Sequence, residues 1–287
     1  MRRARKEHVM SSAEQETING VVISFFSTAS SVGKTLIGIN MAAELARQGA
    51  RVVLVDYDLQ FGDVCNYLQL EPEQTLMDAQ RSIQLTGSSF DVRECLTPYS
   101  CRNIMFAVLA APRKLEEAYN IETSVAQKVI EHLQGLFDYV IVDTTSMFSE
   151  LNLMLLDIST IVTYLGVVDF LPTIKNMKIG SDTLRTLGYD SEKIRLVLNR
   201  SNAKTRISSE DVQKLLKQEF YYVLPNDFQA ASQSIIDGKP LVLEHQDIAL
   251  SDAIRGLVGL YSNRSLGGVE EPARREHKSS LLGRLFG

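Results

Sequence analysis

The chain has no tryptophan, three cysteines, four histidines and seven prolines in 287 residues. Cys65, Cys95 and Cys101 form no C-x-x-C pair and leave an odd count, which fits a reducing compartment better than a disulfide framework. His8, His132, His245 and His277 lack the spacing of metal ligands, which leaves no expected metal beyond an ion carried by a ligand. No apolar run approaches the roughly 18 residues of a spanning helix, and the first residues lack the apolar middle of a signal peptide. The expected location is therefore the cytoplasm. A formal net charge of -5 supplies no global basic field, which disfavours a surface built to coat nucleic acid.

What is present is a hydrophobic content of 45%, ample for a packed core. Residues 1–18 are polar, carry the basic run "RRARK" and show no periodicity, so they read as a disordered head with a solvated or anion-touching tail. From Asn19 short β-branched runs alternate with amphipathic stretches, the pattern of βαβ units around a parallel sheet. Strands are expected at 21–27, 51–56, 103–109, 139–143, 161–167, 194–199 and 220–224, several of them apolar on both faces as central parallel strands must be. Helices are expected at about 36–48, 122–135, 170–187, 208–217, 227–236 and 247–261, the first with Ile37, Met41 and Leu45 on one stripe. No linker divides residues 19–262, which read as one domain, followed by a flexible tether and short amphipathic segment over 263–287.

The stretch "FFSTASSVGKTL", Phe25 to Leu36, carries the first chemical signal. A phosphate loop needs backbone N–H groups aimed at the phosphate, a helix end behind them, a lysine for the β and γ oxygens and a hydroxyl for Mg²⁺. Gly33, Lys34 and Thr35 stand where the last parts belong, but Thr28 occupies the first glycine of G-x-x-x-x-G-K-[ST]. Context adds weight: the letters follow an apolar strand and open an amphipathic helix, and later strands end near Asp56 and Asp58 and at Asp143. A strand ending in aspartate is how a carboxylate reaches the water shell of a nucleotide's metal. As an alternative, Asp56 and Asp58 cap the turn that follows them.

These residues resemble a family. "VVISFFSTASSVGKTLIGINMAAELARQGARVVLVDYDLQFGDV" is similar to the start of the MinD/ParA deviant-Walker ATPases. "DYDLQFGD", "AAPRKLEEAYNI", "RLVLNRSN" and "PNDFQAASQSIIDGKPL" resemble its CpaE/TadZ pilus-assembly branch, and the likeness runs from about Val21 to Leu260. The resemblance implies an α/β single-domain P-loop NTPase of the MinD-like (SIMIBI) class, a mostly parallel twisted sheet flanked by helices on both faces. It also implies ATP/ADP and Mg²⁺ as ligands, a homodimer across the nucleotide face, and pilus or secretion assembly proteins as partners.

Residue by residue, it makes Ser30, Ser31, Val32, Gly33, Lys34, Thr35 and Leu36 the phosphate loop. Thr35, Asp56 and Asp143 serve the metal, Lys34 and Asp58 the catalysis, and Asp58 orients the attacking water. Asn199 and Arg200, with Pro225, Asn226 and Asp227, border the adenine; each is also explicable as an ordinary strand end or turn.

The departures carry expectations of their own. The family's loop reads K-G-G-x-G-K-T, and its first lysine serves the partner's nucleotide; here that place is Ala29, the glycines are Ser30 and Ser31, and Leu36 replaces a second threonine. A trans cation contributes on the order of 10³ to 10⁵ in rate in arginine-finger systems, so hydrolysis should suffer more than binding. Thr144 and Thr145 stand where a proline usually follows, implying a looser switch segment.

In "HKSSLLGRLFG", Leu281, Leu282, Leu285 and Phe286 share one helical face, so residues 278–287 are a candidate membrane-surface segment strengthened by pairing. Attachment would be peripheral, on the inner face of the cell membrane; a frayed tail or one docked on a partner is the alternative. Two further readings remain open: a nucleotide-degenerate scaffold of the same fold, and a ParA-like DNA-partition ATPase, the latter disfavoured by the acidic balance.

Overall fold

The computed structural model describes residues 19–190, 192–201 and 207–266. The expected head at 1–18 and the candidate membrane segment at 278–287 lie outside these residues. The first half of the chain forms β1 (Val21–Phe26), α1 (Lys34–Arg47), β2 (Val52–Asp56), α2 (Val64–Leu68), α3 (Leu76–Thr86), β3 (Thr97–Cys101), β4 (Ile104–Leu109), α4 (Leu115–Ala118) and α5 (Thr123–Gln134). The second half forms β5 (Tyr139–Asp143), α6 (Glu150–Ile158), β6 (Ile161–Gly166), α7 (Leu171–Thr186), β7 (Ile194–Leu198), α8 (Ser209–Leu216), β8 (Tyr222–Val223), α9 (Phe228–Ile236), α10 (Leu241–Glu244) and α11 (Ala249–Leu266). Helix α11 thus continues past the boundary expected after residue 262.

The eight strands make one sheet in the order β3-β4-β2-β5-β1-β6-β7-β8. All pairs are parallel except β3 with β4. Strands β2, β5 and β7 are buried along their whole length, because helices cover both faces of the sheet. On one face Ile23, Phe25, Leu54 and Ile141 meet α1, α10 and α11, with Ile37, Met41 and Leu45 of α1 at most 1% exposed. On the other, Val22, Val53, Val140 and Val142 meet α3, α5 and α6, while Phe26, Val162, Tyr164 and Leu196 meet α7 and α8.

Several elements were not among the expected ones. Strand β3 contains Pro98, which argues against a central strand; it survives because it lies at the sheet edge, antiparallel to β4. Helix α3 starts at a capping box in which Thr75 and Asp78 exchange hydrogen bonds. The expected strand at 220–224 shrinks to two residues at the sheet edge, where only Tyr222 and Val223 pair with β7; Phe220 packs towards α7 and α8 and Tyr221 towards Tyr261 on the opposite face.

Register fixes the centre of the molecule. Phe25 of β1 and Asp56 of β2 both stand opposite Asp143 of β5, so the carboxyl ends of three adjacent strands finish at one level. Open α/β sheets bind ligands beyond such strand ends.

Candidate functional site

Above those strand ends the loop between β1 and α1 closes one wall of a cleft of about 840 Å³. Twelve of the candidate site residues line it: Ser30, Ser31, Gly33, Lys34, Thr35, Leu36, Asp58, Asn199, Arg200, Pro225, Asn226 and Asp227. Segments distant in sequence meet here because β1, β2 and β7 all end on this side of the sheet. Val32, Asp56 and Asp143 are set behind the wall, each no more than 2% exposed. The side chain of Val32 joins the core on the α1 face.

Helix α1 begins at Gly33, whose φ of 98° is the left-handed region that glycine reaches without strain, and no side chain caps its first turn. Its leading N–H groups are therefore left without a side-chain cap beside the cleft, an arrangement that suits an anion. Lys34, the first helical residue, donates from Nζ to Ser146 Oγ at 3.2 Å, and Ser146 Oγ donates to the carbonyl of Ala29 at 2.8 Å. Thr35 Oγ1 donates to Asp143 Oδ2 at 2.6 Å. The second oxygen of that carboxylate, Asp143 Oδ1, is buried and has no hydrogen-bond partner among the described residues.

Burial pushes Asp143 up to about 6; Thr35 and Lys34 oppose the shift, and the charges of Asp58 and Asp63 add to it. Asp56 is held well above the usual carboxylate range, first by burial and then by the charge of Asp143. Both its oxygens accept backbone N–H groups, from Asp58 at 3.1 Å and Val64 at 3.2 Å, so it braces the turn after β2. Gly62 allows this turn to close: a β-carbon there would lie 2.4 Å from Asp56 Oδ2. Two crowded carboxylates, one with an orphan oxygen beside a threonine hydroxyl, suit a divalent cation that arrives with its own charge and waters. By this test Thr35 and Asp143 fit a nucleotide-borne Mg²⁺.

Other residues take positions that the sequence did not announce. Of the two serines in glycine positions, Ser31 alone has a positive φ, at 57°. Thr28, in place of the first glycine, pairs with the hydroxyl of Tyr164 at 2.8 Å, anchoring the loop's start to β6. Asn199 turns its amide onto the loop, donating from Nδ2 to the Val32 carbonyl at 2.9 Å rather than presenting it wholly to a base. Asp227 caps α9 through the N–H of Ala230 at 3.0 Å.

The segment after β5, expected to be loose without its proline, is tied down twice. Thr144 Oγ1 donates to the Phe25 carbonyl at 2.7 Å, and buried Asn152 donates to Thr145 Oγ1 and to the Met147 carbonyl. Ser146 and Asn152 are the residues that sequence reasoning missed. Nothing in a lone serine or in an unassigned helix marks them; only the fold brings them to Lys34 and to the switch segment.

The mouth of the cleft is apolar and open. Phe61, Tyr119, Met147 and Phe228 line it at 76%, 70%, 63% and 70% exposure.

The profile of the CobQ/CobB/MinD/ParA nucleotide binding domain matches residues 23–241. The septum site-determining protein MinD of Synechocystis is 27% identical over 226 residues, covering 75% of this chain and 79% of that protein. Among solved structures, a ParA family ATPase from Chlorobium tepidum superposes with a TM-score of 0.75 at 21% identity, covering 84% of this chain and 98% of the other. MinD from Pyrococcus horikoshii complexed with Mg-ADP superposes at 0.71 with 18% identity, covering 86% and 97%.

Proposed function

The chain belongs to the CobQ/CobB/MinD/ParA nucleotide-binding family, and from that premise we propose that it binds Mg-ATP in the cleft and pairs with a second copy across the nucleotide face. In the paired state it acts as a spatial marker or assembly factor for a pilus or secretion machine, with slow hydrolysis. The observation that carries the nucleotide reading is the convergence of the uncapped start of α1, Lys34 and Thr35 on one cleft, with the carboxylate of Asp143 and its orphan oxygen buried directly behind Thr35. Its exposed apolar mouth supports pairing, since such a patch is unfavourable in water unless covered.

In this reading the amides at the start of α1 receive the β-phosphate, and Lys34 exchanges Ser146 for the β and γ oxygens. Thr35 and Asp143 would hold Mg²⁺, which would supply positive charge against the phosphates. Asp58, half-buried at the cleft, orients the attacking water. Ala29 brings no cation to the partner's site, so binding outlasts chemistry. Two copies of the 278–287 segment on a dimer would add their membrane affinities.

Titration with mant-ATP and Mg²⁺ tests the core of this reading: a saturable signal in the wild type, lost in Lys34→Ala, with Ala29→Lys raising turnover. Absence of a saturable signal in both the wild type and Ala29→Lys favours the second reading, a scaffold working by protein contacts. The left-handed Ser31 within the loop is the observation on that side. Sedimentation with and without nucleotide reads the pairing. Liposome flotation with and without residues 278–287 reads the tail, and equal flotation removes it from the account.

A further inference from the structure

The loop that leads into α1 has to hold Ser31 at a φ of 57°, a conformation that residues with a β-carbon seldom adopt. The support comes from the end of β7. Asn199 Nδ2 donates to the Val32 carbonyl at 2.9 Å, and Arg200 Nη2 donates to the Ser31 carbonyl at 3.0 Å. Two consecutive side chains thus grip two consecutive carbonyls.

Regular strand geometry does not allow this, because neighbouring side chains point to opposite faces. Arg200 breaks the alternation with its own left-handed backbone, φ 55°. Its N–H donates to Asn199 Oδ1 at 2.9 Å, which fixes the amide so that Nδ2 faces the loop. Ser201 then pins the turn through its N–H to the Leu224 carbonyl at 3.0 Å.

In a planar trans peptide, the carbonyl of one residue and the N–H of the next point in opposite directions. Holding the Ser31 and Val32 carbonyls towards Asn199 and Arg200 therefore sends the Val32 and Gly33 N–H groups to the other side of the loop. Among the described residues neither N–H has an acceptor. Gly33 is tied to the same device: a β-carbon there would meet Asn199 Nδ2 at 2.7 Å.

We infer that Asn199 and Arg200 form a strap that holds the loop in its anion-binding shape where the sequence has a serine instead of a glycine, with Arg200 as the positioning residue for Ser31. The effect on nucleotide affinity rests on the function proposed above; the grip on the loop does not. Arg200 acts here through the backbone of Ser31, and its importance depends on the residue at that position being other than glycine.

The test is a double-mutant cycle on the full chain with Mg-mant-ATP: wild type, Arg200→Ala, Ser31→Gly and the pair. Arg200→Ala is expected to raise Kd about tenfold when Ser31 is present and less than about threefold when combined with Ser31→Gly, a coupling of the size seen for groups in contact. An equal loss in both backgrounds means direct contact with the nucleotide and overturns the strap, as does no loss at all. The second readout needs no ligand. Hydrogen exchange of a peptide spanning residues 25–36 should be several-fold faster in Arg200→Ala while the thermal midpoint barely moves, and unchanged exchange overturns the inference. If the wild type binds no nucleotide, the function proposed above fails and exchange alone decides the strap.

Discussion

A serine held in the left-handed region costs on the order of 1–2 kcal/mol, and replacing it by glycine recovers only part of that because glycine loses more backbone freedom on folding. Ser31→Gly should therefore raise stability by roughly 0.5–1 kcal/mol, read as a higher urea midpoint at unchanged slope; a fall in the midpoint would refute the strain. The cysteines give a second residue-scale expectation. Burial, aided by Asp56, pushes the Cys65 thiol up to about 12, and burial with nearby Asp78 pushes Cys95 up to about 11. Since the thiolate is the nucleophile, at pH 8 Cys95 should react with iodoacetamide about a hundredfold, and Cys65 about a thousandfold, slower than in urea. The rate should climb about tenfold per pH unit until the thiol's own value is reached. Mass spectrometry of each site distinguishes this from equal labelling in the native and unfolded chains.

Between elements, polar ties as well as apolar packing set the position of α1. Asn40 is fully buried on that helix; its Nδ2 donates to the Leu36 carbonyl at 2.8 Å and its Oδ1 accepts from the N–H of Val242 in α10 at 2.9 Å. Asn40→Ala leaves that N–H without an acceptor and should cost about 1–3 kcal/mol in denaturant unfolding. A loss below a few tenths would mean that water replaces the amide. At this scale the sequence was readable where pattern and environment agreed, as in the apolar runs of β2, β5 and β7. It was silent on β3, which carries Pro98 and which only an edge position permits. Helix α6, apolar on most sides, lacked the one-sided stripe that marks a surface helix, because it packs against α5 and β1.

For the whole molecule, a ligand that binds only the folded state adds RT ln(1 + [L]/Kd) to stability, about 2.7 kcal/mol at a hundredfold excess over Kd. Mg-ATP should then raise the thermal midpoint by about 5–10 °C for a fold of this size. ATP with EDTA should raise it less, because the fit of Thr35 and Asp143 is to the metal. If pairing accompanies binding, the shift should grow with protein concentration. A midpoint indifferent to Mg-ATP at millimolar concentration would argue for the scaffold.

The sequence by itself determined seven of the eight strands, the helix that follows β1, and the places of Gly33, Lys34, Thr35 and Asp143 at the ends of the first and fifth strands. Local period and residue chemistry are enough for those. The tertiary structure decided which groups face each other. Lys34 meets Ser146, which in turn holds the Ala29 carbonyl, the Asp143 oxygen is left over, and Asn199 with Arg200 grips a loop more than 160 positions earlier in the chain. The physical reason is that hydrogen-bond partners across a parallel sheet are set by strand order and register, and neither is encoded in a window short enough to read as a motif.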